Sequence, residues 1–139
     1  MRTSAELTRR FREEGRKITP QREAVFRAVC GSDLHPTAES IHAAVVAELP
    51  MVSLRTVYQV LHDLADLGEL QVLDLGTGST RFDPNVDSHY HLVCVRCGKV
   101  RDLYDDELDA VHVPRGAEQG FVIDRTDIVF RGRCGGCAP

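Results

Sequence analysis

The stretch "SHYHLVCVRCGKVRD", Ser88 to Asp102, holds His89 and His91 two residues apart, Cys94 and Cys97 three apart, and Asp102. A second Cys-x-x-Cys pair, Cys134 and Cys137, closes the chain. Each pair bites a metal from a tight turn, and two pairs complete a tetrahedral thiolate shell with no open position. That is the pattern of a structural zinc site. A redox dithiol is the rival reading, but it needs only one such pair. The fifth cysteine, Cys30, falls on the apolar side of a helical stretch and reads as a core residue.

The histidines need different partners. Residues two apart on a strand share a face, so His89 and His91 project together and away from Cys94. Asp102 follows the turn "RCGK", where strand pairing would return it beside them. Asp83 lies close by in sequence, and His35 precedes a helix in "LHPTAES". Three imidazoles and two carboxylates form a nitrogen–oxygen set without thiolate, which suits divalent iron or manganese. A lone histidine such as His35 is more often a surface or capping residue. His42, His62 and His112 match no ligand position and default to solvent or packing.

The elements that must position these groups are legible as two halves. Residues 4–14 read as a polar helix capped by Ser4 and stopped at Gly15. A second helix opens at Thr19 and Pro20, where the missing N–H of proline costs nothing. A third opens at Thr37 and ends at Pro50. The clearest helix is "SLRTVYQVLHDLADLG": Ser53 caps it, Leu54, Val57, Leu61, Leu64 and Leu67 form its apolar stripe, and Gly68 stops it. Then "ELQVLDL" and "STRFD" flank the turn "GTGS" as a hairpin.

Helices followed by a hairpin follow the plan of a winged helix-turn-helix, with the fourth helix placed to enter a major groove of DNA. Arg55, Thr56, Tyr58 and Gln59 lie off its apolar stripe near its N-terminal end. Arg55 suits guanine or phosphate, and Gln59 suits adenine. The bland reading is a small helical domain with an idle polar face.

The second half changes period. "HLVCV" and "KVRDLY" read as strands, "DDELDAV" as a short helix, and "GFVIDRTDIVFRGRC" as one long strand with Phe121, Ile123, Ile128 and Phe130 on its apolar face. The fold class expected is therefore α+β. An N-terminal winged helix-turn-helix domain would span residues 1–83, residues 84–88 would be a hinge, and residues 89–139 a small α/β dimerisation and metal-binding domain. Halves this small need a metal staple or a partner copy.

Charge and composition narrow the function classes. The 139 residues carry a formal charge of −4, which by itself argues against nucleic acid. Residues 1–27, however, hold eight Lys/Arg against four Glu, a local excess of +4 on an otherwise acidic chain. A basic end can still make a DNA footprint. No run approaches the roughly 18–20 apolar residues of a membrane span. The N-terminus lacks the apolar segment of a signal peptide, so a cytoplasmic location with no membrane partner is expected.

Read together, "ITPQR", "HPTAESI", "SLRTVYQVLHDLADLG", "RFD", "SHYHLVCVRCGKVRD" and "GRCGGC" resemble, in order and spacing, the Fur family of metal-dependent repressors. The resemblance runs from about Leu7 to Cys137 and is closest to the peroxide-sensing PerR branch. Asp102 stands where iron-uptake members more often carry glutamate, and Asp127 where they often carry histidine.

The resemblance implies a homodimer on double-stranded operator DNA, not an enzyme. It implies structural Zn(II) on Cys94, Cys97, Cys134 and Cys137, and regulatory Fe(II) or Mn(II) on His35, Asp83, His89, His91 and Asp102. It places Arg55, Tyr58 and Gln59 on the recognition helix. It also implies that peroxide acts by oxidising His35 or His89 when iron is bound, releasing peroxide-defence genes, whereas manganese would support repression only. An iron- or zinc-uptake repressor of the same family is the alternative. A non-haem iron enzyme with two histidines and one carboxylate is the distant one, because five protein ligands would leave too few open positions for substrate and oxygen.

Overall fold

The computed structural model describes residues 2–32 and 35–139. They form two compact units, Met1–Val86 and Asp87–Pro139.

The first unit begins with four helices: α1 (Ser4–Glu13), α2 (Pro20–Cys30), α3 (Ala38–Val46) and α4 (Leu54–Asp66). Each starts where a hydroxyl side chain accepts a hydrogen bond from an otherwise orphaned backbone N–H in the first turn. The caps are Thr3, Thr19, Thr37 and Ser53, each contributing about 1 kcal/mol. Thr3, not Ser4, caps α1, because its hydroxyl reaches Glu6 N while the Glu6 carboxylate returns to Thr3 N. Gly68 follows α4 with φ 75°, the left-handed conformation that ends a helix cheaply in glycine. The third helix ends at Val46, before Pro50.

The apolar stripes of these helices meet in one core. Phe11, Val25, Phe26, Ile41, Val57, Leu61, Leu64 and Phe82 are all buried within it. Phe11 and Phe26 pack edge to face with centroids 4.7 Å apart, a geometry that favours the ring quadrupoles. Cys30 is half-buried at the margin of this core, and its thiol donates to the Arg2 carbonyl. Burial raises its pKa.

The hairpin follows as β1 (Gln71–Leu73) and β2 (Arg81–Asp83), antiparallel with Val72 opposite Phe82. Phe82 drives the hairpin into the core, and its amide donates to the Pro36 carbonyl. This sequence of elements is that of a winged helix-turn-helix.

The second unit is a three-stranded sheet with a short helix. Strand β3 (Tyr90–Cys94) lies centrally. β4 (Val100–Leu103) pairs with it antiparallel, and β5 (Val129–Gly132) pairs parallel. Helix α5 (Asp106–Asp109) follows β4, and Tyr90 on β3 donates its hydroxyl hydrogen to Asp109. The chain is thus α+β.

The long strand expected from Gly120 onward forms only at its end, as β5. Phe121, Val122 and Ile123 lie outside any strand and are exposed, at 72%, 86% and 49%. Alternating apolar residues show that a segment suits a covered sheet, but a strand also needs a backbone partner, and within this segment only Val129–Gly132 pairs with β3.

Candidate metal centres and recognition helix

The four paired cysteines meet inside the second unit. Cys94 ends β3, and Cys97 lies in the turn leading to β4. The parallel register places Cys94 beside Gly132, two residues before Cys134. That register brings the two Cys-x-x-Cys turns together. Each turn is closed by a backbone bond: Gly98 N to Cys94 O, and Cys137 N to Cys134 O, both 2.9 Å. All four sulfurs lie within 4.8 Å of one another.

The electrostatics of the four thiols suit a cation. The Cys134 N–H aimed at its sulfur, joined by backbone bonds from Cys97 and Arg96, lowers the Cys94 pKa to about 6. Cys137, donating to the sulfurs of Cys134, Cys97 and Cys94, is pushed up to about 12. Four thiolates held this close repel one another unless a metal neutralises them, and the closed S4 shell is one zinc fills.

The remaining ligand candidates form one group in each unit. In the first unit, His35 and Asp83 are both fully buried, with His35 Nε2 3.3 Å from Asp83 Oδ2. Asp83 is the last residue of β2, and its Oδ1 accepts from Asn85 N at 2.9 Å. His35 is held with φ 61°, a left-handed conformation uncommon for a residue with a Cβ. Arg81 on β2 donates to the His35 carbonyl at 3.2 Å, and a bridge joins Thr37 to Arg81. The hairpin therefore clamps the loop that carries His35. Such a conformation costs on the order of 1 kcal/mol and persists only where its surroundings enforce it.

In the second unit, His91 and Asp102 are cross-strand partners. Asp102 Oδ1 lies 3.8 Å from His91 Nε2 and 3.5 Å from His89 Nε2. His89 sits one residue before β3 rather than on it, yet its ring meets that of His91 with centroids 4.7 Å apart. His89 Nδ1 lies 2.7 Å from the Asp87 carbonyl oxygen. A carbonyl can only accept, so Nδ1 carries the hydrogen and Nε2 keeps the lone pair a metal requires. The donor chemistry fits a hard or borderline divalent ion such as iron or manganese.

The recognition-helix candidates share the N-terminal part of α4. Arg55 and Gln59 are exposed, and Thr56 and Tyr58 are half-buried. Tyr58 packs edge to face on Phe82 and donates to Glu39 on α3 at 3.0 Å. Gln59 donates to Asp63 one turn later. Asp63 is the polar residue that pattern reading passed over. It is 7% exposed on the core side of α4 and takes Arg16 at 2.9 Å and Arg22 at 3.2 Å. An acidic residue is expected at the surface, and the arginine-rich residues 1–27 are the sequence signal from which its partners come. His42 spends Nε2 on the Val52 carbonyl, and His62 stacks on Tyr58. Both therefore have packing roles.

Among the described residues, no helix is long and apolar enough to cross a membrane. A peroxide-responsive repressor of Staphylococcus epidermidis is 41% identical over 101 residues, spanning 73% of this chain and 67% of its own length. The ferric uptake regulator of Helicobacter pylori shares the fold with a TM-score of 0.79 at 22% identity, covering 96% of this chain and 89% of its own. The Pseudomonas aeruginosa regulator solved with manganese gives 0.74 at 25% identity, covering 92% and 97%. The model of the ferric uptake regulator family matches residues 13–131. With the motifs and the fold, that match establishes that the chain belongs to this family of transcriptional regulators rather than to a class of enzymes.

Proposed function

We propose that the chain is a metal-dependent repressor that leaves its operator DNA when hydrogen peroxide oxidises an iron-ligating histidine. The observation that carries the reading is the convergence of His89 Nε2, His91 Nε2 and Asp102 Oδ1, with His89 oriented by the Asp87 carbonyl. The name of the staphylococcal relative supports the peroxide response.

In this reading His35 and Asp83 complete the ligand set, so that one Fe(II) or Mn(II) ion draws on both units. Zn(II) on Cys94, Cys97, Cys134 and Cys137 is structural. Arg55, Thr56, Tyr58 and Gln59 face the major groove of operator DNA. The exposed apolar side chains Phe121, Val122, Ile123 and Phe130 support a homodimer, in which a second copy covers them. The location is cytoplasmic, and the regulated genes are peroxide defences.

A ligand shared by two units selects one arrangement of them, and metal and DNA then strengthen each other reciprocally. A coupling of about 3 kcal/mol changes DNA affinity by about 150-fold. Iron(II) held by these residues would supply the electrons that reduce peroxide beside the imidazole rings of His35 and His89. In the product, a ring C–H of His35 or His89 has become C–OH with one peroxide oxygen, and the other oxygen has left as water. The altered ring is a poorer ligand, so the domains are released from one another and from DNA.

DNA binding by the chelated, Mn(II) and Fe(II) proteins, each before and after peroxide, tests this function. Binding that requires metal and is lost to peroxide only in the iron form is the expected result. Binding retained by both metal forms after peroxide would instead identify a metal-uptake repressor.

A further inference from the structure

The ring of Tyr104 stacks on His89, with centroids 5.6 Å apart and planes 27° from parallel. Tyr104 follows β4, two residues after Asp102, and is 60% exposed. Its ring therefore covers one face of the imidazole whose Nε2 belongs to the ligand group. A stacked phenol is the more electron-rich ring of this pair, and its carbons ortho to the hydroxyl are activated towards electrophilic oxygen. Iron held at His89 Nε2 would place peroxide-derived oxidant beside two rings in contact, only one of which belongs to the proposed ligand set.

We propose that Tyr104 is a second oxidation site, which competes with His89 for peroxide oxygen and so sets how much peroxide is needed to inactivate the protein. The inference rests on the peroxide-sensing reading above. In the step, a ring C–H of Tyr104 ortho to its hydroxyl is replaced by C–OH. One oxygen of hydrogen peroxide enters the ring, the other leaves as water, and the metal ends in its starting oxidation state. The ring loses two electrons and peroxide gains two. Because Tyr104 lies outside the proposed ligand set, this product leaves metal and DNA bound, whereas oxidation of His89 does not.

The test is peptide mapping of the Fe(II) and Mn(II) proteins after limiting peroxide. Arg96, Lys99 and Arg101 lie between His89 and Tyr104, so trypsin separates the two sites. Expected is a gain of one oxygen on the Tyr104 peptide in the iron form alone. In Tyr104→Leu, which removes the ring, the same peroxide dose should give a higher yield of oxidised His89 and earlier loss of DNA binding. DNA binding by the Mn(II)-loaded variant reports that its fold is intact. An unmodified Tyr104 beside an oxidised His35 or His89 overturns the inference and leaves the sensing function standing. Equal modification of Tyr104 with manganese or without metal also overturns it, because the oxidant is then in bulk solution. No oxygen on any of the three, with iron bound, removes both.

Discussion

His91 on β3 and Asp102 on β4 are cross-strand partners, with His91 Nε2 3.8 Å from Asp102 Oδ1. The pairing means that the sheet register, not a flexible loop, sets the distance between these two proposed ligands. Replacing Asp102 by Ala should therefore leave the sheet and the zinc content intact. It should weaken Mn(II) binding by at least about 10-fold, the loss typical even of groups that only orient a ligand. A manganese titration with zinc analysis on the same sample checks this, and an unchanged isotherm would remove Asp102 from the site.

The thiolate site makes a separate claim. Cys137→Ser should abolish zinc binding and, with it, the cooperative unfolding of residues 87–139. Structural zinc contributes on the order of 10 kcal/mol of apparent binding energy in small domains, and three short strands offer little to replace it. Zinc analysis and thermal melting of the variant report both effects. A full complement of zinc, with an unaltered melt, would contradict the assignment.

Asp63 ties α4 to Arg16 and Arg22. The arginine side chains remain 30% and 25% exposed, so water screens part of the attraction. Asp63→Ala should cost about 1–3 kcal/mol, between the values for exposed ion pairs and for hydrogen bonds to buried charges. Denaturant unfolding monitored by helix content measures the loss. An unaltered midpoint would mean that the network is incidental to the fold.

Gln59 donates its amide hydrogen to Asp63, so the carboxylate fixes which end of the amide is the donor. Gln59→Ala should relax base preference at one position of the operator by about 1–3 kcal/mol, with the salt dependence of binding preserved. Competition among singly substituted operators measures this. A uniform loss across all sequences, with a shallower salt slope, would make Gln59 a phosphate contact instead.

Much of this architecture was legible in residue patterns because local chemistry decided it. Thr19 with Pro20, Thr37, and Ser53 with Gly68 mark helix ends by hydrogen bonds and backbone preference that act within a few residues. The return of Asp102 to His91 follows from a short turn between two alternating strands. The exposed run Phe121–Ile123 misled, since its alternation records a surface to be covered and not the strand that covers it. Asp63 was missed because an acidic residue is expected at the surface, and its arginine partners lie 47 and 41 positions earlier. His89 was placed on the strand by periodicity, yet β3 begins one residue later and the Asp87 carbonyl orients the ring instead.

In the proposed mechanism, oxygen transfer to a ligand histidine is what releases DNA. The most direct measurement titrates the Fe(II) protein on operator DNA with peroxide, reading DNA occupancy and mapped oxygen on the same samples. Occupancy should fall in step with the fraction of protein carrying oxygen on His35 or His89. DNA release without oxygen on either histidine, or full occupancy with both peptides modified, would rule out histidine oxidation as the release step.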